Sequence, residues 1–142
     1  MALMTRLSIL AVLAASLFTS STSTVTDCAE GKSLFQIHEQ GFSPEPPIPN
    51  QDATLWIYYT IPENVNIDAG TCKYSFSLNG IPFAPTVDDL CTQVTCPLVS
   101  GTYNLSSTST WPSGVSGKIV TKIEWYDSAK NLLLCSQTTE RV

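Results

Sequence analysis

The chain has 142 residues, of which 43% are apolar and only 13% are Asp, Glu, Lys or Arg. That length suits one domain, and the apolar share excludes a disordered chain, so Ser, Thr, Asn and Pro must supply most of the wet surface. Seven Lys and Arg against twelve Asp and Glu give a net charge of −5; this excludes the basic stripe of a nucleic-acid binder and tight electrostatic docking on anionic membranes.

Residues 1–23 read as a secretory signal. Arg6 gives the positive flank, residues 7–18 the apolar stretch, and residues 19–23 the small side chains of a cleavage region. A membrane-spanning helix needs about 20 apolar residues, so this stretch is short for an anchor. Residues 24–142 are then a single mature domain, secreted or delivered to the lumen of the endolysosomal or vacuolar system. Without Arg6, six Lys and Arg face the same twelve acids, a net charge of −6. In an oxidising compartment five cysteines should mostly pair, and an odd number leaves at least one without an intramolecular partner.

From Asp27 onward the pattern has a period of two, with turn chemistry between short runs and no convincing helix. Phe35 and Ile37 open the first candidate strand. The stretch Pro44-Glu45-Pro46-Pro47-Ile48-Pro49 cannot pair inside a sheet, because each proline removes an amide donor. Residues 53–61 place Ala53, Leu55, Ile57, Tyr59 and Ile61 on one face. Residues 72–78 do the same with Cys72, Tyr74, Phe76 and Leu78, and Asn79-Gly80 then signals a hairpin turn. Tyr103 and Leu105 mark a shorter run. Residues 118–126 put Ile119, Ile123 and Trp125 together, and Leu132 and Leu134 close the series. Seven or so such strands predict an all-β antiparallel sandwich.

Catalytic and metal chemistry find little support. The single histidine, His38, falls on the solvent face opposite Phe35 and Ile37, and no G-x-S-x-G elbow supplies it with a nucleophile. Asp88 and Asp89 are adjacent, so on extended chain they point apart and read as a solvated loop pair. Cys91 and Cys96 lack the further Cys and His ligands of a usual zinc site, and a disulfide is their default in an exported protein. Asn104-Leu105-Ser106 is an N-glycosylation sequon. What remains is a set of inward aromatics with polar tips: Tyr58 or Tyr59, Tyr74, Tyr103, Trp111 and Trp125. Composition does not say whether they fill a core or surround a void.

Two segments resemble a known family. Asp88-Asp89-Leu90-Cys91, then Cys96-Pro97-Leu98 and Gly101, is similar to the D-L-C…C-P-[IL]…G signature of the ML lipid-recognition family. Residues 119–125 with residues 131–135 resemble that family's last hairpin, including Glu124-Trp125 and the closing Cys135. Asp27-Cys28, Pro46-Pro47-Ile48-Pro49 and Phe83 match further positions in order, so the likeness spans residues 27–142.

The resemblance implies a secreted immunoglobulin-like β-sandwich of about seven strands with a lipid cavity between its sheets. Family members include a lysosomal sterol carrier, phosphatidylglycerol/phosphatidylinositol transfer proteins, lipopolysaccharide co-receptors and mite allergens. It implies disulfides Cys28–Cys135 and Cys91–Cys96; the carrier's third disulfide has no counterpart here, which leaves Cys72 as a free thiol if it faces inward and as a link between two chains otherwise. Phe83 looks like the aromatic that touches bound sterol, and Trp111 and Pro112 fall at the carrier's pocket-mouth loop. The expected sleeve is Leu55, Ile57, Phe76, Leu78, Phe83, Ile119, Ile123 and Trp125, with Tyr103, Trp111 or Thr121 meeting a polar head. The expected ligand is one sterol or phospholipid, exchanged during transient membrane contact by a monomer, with a lipid-handing receptor as a further partner. No cofactor, metal, nucleic acid or catalytic step enters this reading. Its rival is an immunoglobulin-like recognition module with a filled core, which binds a protein or presents lipid to a receptor.

Overall fold

β-branched and aromatic residues at every second position build nine strands in the computed structural model, which describes residues 23–141. The secretory signal expected over residues 1–23 therefore lies outside the described residues, Ser23 excepted. The strands are β1 (Ser23–Asp27), β2 (Gln36–Ser43), β3 (Asp52–Ile67), β4 (Gly70–Leu78), β5 (Ile81–Pro82), β6 (Thr86–Asp89), β7 (Leu98–Thr110), β8 (Lys118–Asp127) and β9 (Leu132–Arg141). Seven have five residues or more, and the two short ones, β5 and β6, both pair with β4. Asp88 and Asp89 thus belong to a strand rather than a loop. Asp89 also caps the single helical turn α1 (Leu90–Gln93), its side chain accepting the Cys91 amide at 2.8 Å.

Two antiparallel sheets result. One has the order β1-β9-β8-β4-β5 with β6 beside β4; the other is β2-β3-β7. The chain crosses between them after β1, β3, β6 and β7. Asn79 and Gly80 make the β4–β5 turn at φ of 51° and 80°, the left-handed pair that a two-residue hairpin requires. The disulfide Cys28–Cys135 fastens the start of the domain to β9 across 107 residues, and Cys91–Cys96 closes the α1 loop, with Cα separations of 5.2 and 5.4 Å.

Register divides the interior into rows. On the inner face of the large sheet the first row is Cys72, Trp125 and Leu134, followed by Tyr74, Ile123 and Ser136, then Phe76, Thr121 and Thr138, and last Leu78, Ile119 and Glu140. The small sheet answers with Tyr59 and Tyr103, Ile57 and Leu105, Leu55 and Ser107, then Ala53 and Ser109. Polarity therefore rises from one end to the other. At the disulfide end Phe35, Tyr59, Ile61, Cys72, Leu90, Leu98, Trp125, Leu133 and Leu134 form the packed core, whose burial supplies most of the driving force.

Candidate functional site

Tyr59 anchors the closed end of the interior. Its ring stacks on Phe35 at 5.9 Å and on Tyr103 at 5.7 Å, and meets Trp125 edge-on at 5.7 Å, the offset and T-shaped geometries that aromatic quadrupoles favour. Burial, with a smaller effect from Tyr103, pushes the Tyr59 hydroxyl up to about 12. The Tyr103 hydroxyl donates to the Val99 carbonyl at 2.8 Å, so its ring is held while its face stays open to space. Cys72 is fully buried beside Trp125, and burial raises its thiol above the ordinary value.

Beyond this stack the sheets part along the side where β4 faces β7. A slot of about 70 Å³ lies between them, lined by Tyr74, Leu105, Ser107, Ile123, Trp125 and Gln93. It adjoins an open cleft of about 430 Å³ whose walls include Tyr59, Tyr103, Leu105, Leu98 and Val94. Gln93, Leu105 and Ser106 are common to both. The Cys91–Cys96 loop carries Gln93 and Val94 to the mouth, and Gln93 accepts from the Tyr74 hydroxyl at 3.2 Å. The larger volume falls in the range of small-molecule sites; the slot alone does not.

The expected sleeve is divided among several places. Leu55, Ile57, Ile123 and Trp125 join one buried cluster, with Tyr103 packed against it. Ile119 is buried in the far row, next to Leu78 and Glu140. Thr121 is half-buried, and its carbonyl accepts from the Thr138 hydroxyl at 3.5 Å. Trp111 meets Phe42 edge-on at 6.2 Å at the open end. Phe76 and Phe83 lie ring to ring at 5.2 Å on the free edge of the large sheet, 38% and 53% exposed. They border a separate groove of about 320 Å³ with Lys73 and Lys122, so the acidic chain does gather two cations there. Of the alternative inward tyrosines, Tyr59 is buried and Tyr58 is on the outer face, 43% exposed.

Sequence reasoning missed the polar members of the interior. Ser136 donates to Gln40 at 2.8 Å, joining the two sheets, and Ser23 donates to the Glu140 carboxylate at 2.6 Å. Burial raises the Glu140 carboxyl above its ordinary value; the Ser23 hydrogen bond opposes the shift and Glu45 adds to it. The alternation of Ser136, Thr138 and Glu140 along β9 was the available signal, hidden because all three are polar. His38 lies on the outer face of the small sheet, bonded through Nε2 to the Thr60 hydroxyl at 2.6 Å.

The crystal structure of a Niemann-Pick type C2 protein from the Japanese carpenter ant superposes with a TM-score of 0.59 at 15% identity, covering 82% of this chain and 96% of that one. Chicken MD-1 complexed with lipid IVa is a weaker match, with a TM-score of 0.49 at 11% identity over 75% and 86% of the two chains. A comparison with curated proteins finds no match. Residues 22–142 match the family profile described as the ML domain. That span holds both disulfides and every strand of both sheets, and the chain belongs to the ML-domain family.

Proposed function

We propose that this ML domain is an exported lipid carrier, which holds one sterol or phospholipid between its sheets and exchanges it with membranes. Lipid recognition is the function class of the family. The observation that carries the finer reading is the parted side of the sandwich, where a slot walled by Leu105, Ile123 and Trp125 and edged by Gln93, Ser106 and Ser107 runs into an open cleft of about 430 Å³. Each buried acyl CH₂ is worth about 0.8 kcal/mol, so a carrier must surround the chain rather than lay it on a wet surface. Leu105, Ile123, Trp125 and the face of Tyr103 offer such walls. Gln93 and Tyr74 offer hydrogen bonds at the mouth for a hydroxyl or a phosphate ester. The Cys28–Cys135 and Cys91–Cys96 disulfides suit an oxidising destination, either outside the cell or in an endolysosomal or vacuolar lumen.

The test is extraction of labelled sterol or phospholipid from vesicles, combined with native mass spectrometry of protein from secreting cells. A one-to-one adduct that leaves as an identifiable lipid supports the carrier and names its cargo. Ser107 is exposed yet lines the slot, so Ser107→Trp fills the space without disturbing the core. Extraction should fall roughly tenfold or more, the equivalent of about 1.4 kcal/mol, with an unchanged unfolding midpoint. Failure of the wild type to extract either lipid, together with a clean unliganded mass, overturns transfer and favours a filled recognition module.

A further inference from the structure

The outer face of the small sheet is unlike the rest of the surface. Tyr58 stands 43% exposed there, with the His38 ring 5.6 Å away. On one side of it Thr60 lies 3.4 Å from Thr102, and on the other come Trp56 and Ser106, with the Thr54–Thr108 hydrogen bond of 2.8 Å one row further on. Directly across from Tyr58 in the β3–β7 ladder is Asn104, the acceptor of the Asn104-Leu105-Ser106 sequon, and its side chain is exposed. Cross-strand partners on one face have Cβ atoms about 4.5–5.5 Å apart. A sugar attached at Asn104 therefore begins within reach of the Tyr58 ring, with Thr102 and Ser106 flanking it on the same strand.

A second observation concerns β7 itself. It is an edge of the three-stranded sheet, and its thirteen residues contain no charge and no proline. Long flat edges of that kind invite pairing with another chain unless a charge, a proline, a bulge or a cover prevents it. The opposite edge, β2, carries the charged Glu39 beside a register break at His38, whereas β7 breaks register only near its start, between Val99 and Gly101, and runs regularly from Gly101 to Thr110. Most of β7 is exposed, and the sequon asparagine stands at its midpoint.

We propose that Asn104 carries an N-linked glycan whose first sugar rests on Tyr58 and whose bulk shields the β7 edge. In the covalent step the Asn104 amide nitrogen bonds the anomeric carbon of a lipid-linked oligosaccharide and loses a proton, and the polyprenyl diphosphate departs. The face of the N-acetylglucosamine ring then covers the tyrosine, and its acetamido and hydroxyl groups meet the Thr and Ser hydroxyls. The proposal depends on export of the chain; Asn104 also lines the cleft of about 430 Å³, so the glycan stands at its rim.

The full chain is expressed with its own leader in a eukaryotic secretory host, and Asn104 occupancy is read by peptide mass spectrometry. Occupied protein is trimmed to a single sugar with an endoglycosidase, or stripped completely with an amidase, which hydrolyses the side-chain amide and leaves aspartate at position 104. Trimming should leave the melting temperature unchanged, whereas complete removal should lower it by about 3–5 °C. Ser106→Ala, which blocks attachment and keeps an uncharged Asn104, should melt like the stripped protein and produce oligomers in light scattering. In Tyr58→Thr the difference between trimmed and stripped protein should vanish. Unoccupied Asn104 in secreted protein overturns the proposal, as does an equal melting difference in Tyr58→Thr. Vesicle extraction by the wild type and by Tyr58→Thr tests the lipid reading separately, because Asn104 and Ser106 line the cleft and Tyr58 does not.

Discussion

Glu140 is a carboxylate held where its ionised form is disfavoured, 1% exposed in the last interior row. Its pKa is raised in the fold, chiefly by burial, so protonation favours the native state. The contribution is fully present below the ordinary carboxyl value of 4.5 and is lost as pH climbs through the higher folded value. Glu140→Gln keeps an acceptor for Ser23 but removes the ionisation. It should therefore stabilise the protein near pH 7 and leave it nearly unchanged near pH 4, as read from urea midpoints at the two pH values. Equal effects at both would show that the carboxyl titrates as it does in the unfolded chain. At the same scale, Gly70 faces the Tyr126 carbonyl so closely that any Cβ collides with main chain. Gly70→Ala should cost about 1–3 kcal/mol in denaturant unfolding, the range typical of overpacked sites.

The elements show where the sequence was readable. Strands β4 and β8 follow their expected limits within two residues, because Cys72, Tyr74 and Phe76 and then Ile119, Ile123 and Trp125 alternate cleanly with polar partners. The turn at Asn79-Gly80 was equally plain. Asn79→Ala should lose about 1–2 kcal/mol, since alanine tolerates the left-handed turn poorly and the asparagine side chain also accepts the Lys118 amide at 2.8 Å; thermal melts give the measurement. Strand β3 runs on to Ile67, past the end of the expected run at Ile61. Pro62, Glu63 and Asn64 break the alternation there, and the ladder itself skips from Ile61 to Asn66. Strand β7 was seen only at Tyr103 and Leu105 because Ser and Thr fill the rest of it. β9 was cut short for a related reason. Its polar half is buried, and Gln40, the Thr121 carbonyl and Ser23 supply the hydrogen bonds that make such burial tolerable. The candidate site was the least legible part, since the opening between β4 and β7 depends on how far two sheets separate, a distance no periodicity encodes.

At the scale of the molecule, the two disulfides have unequal work. In the chain-entropy account, closing the loop of Cys28–Cys135, 107 residues apart, is worth about 5 kcal/mol and closing that of Cys91–Cys96 about 2 kcal/mol. The Cys28→Ser, Cys135→Ser double variant should consequently lose more than twice the stability lost by Cys91→Ser, Cys96→Ser. Lipid uptake should show the reverse order, because the smaller ring holds Gln93 and Val94 at the cleft. Guanidinium titrations and vesicle extraction separate the two effects. The same long-range closure has a mechanical consequence. Ser23 pairs with Glu140 at the outer end of β1–β9, and the ladder runs back through Thr26 and Gln137 to Cys28 and Cys135. Tension applied between Ser23 and Arg141 opens that ladder like a zipper, rung by rung, and then arrives at a covalent bond. The covalent load path stops there, so the stretch between Cys28 and Cys135, the candidate site included, cannot be drawn out even as β9 peels from β8 beyond Ser136. Single-molecule pulling under oxidising conditions should release only the short β1–β9 length, and added reductant should free the remaining contour in a second, much longer step.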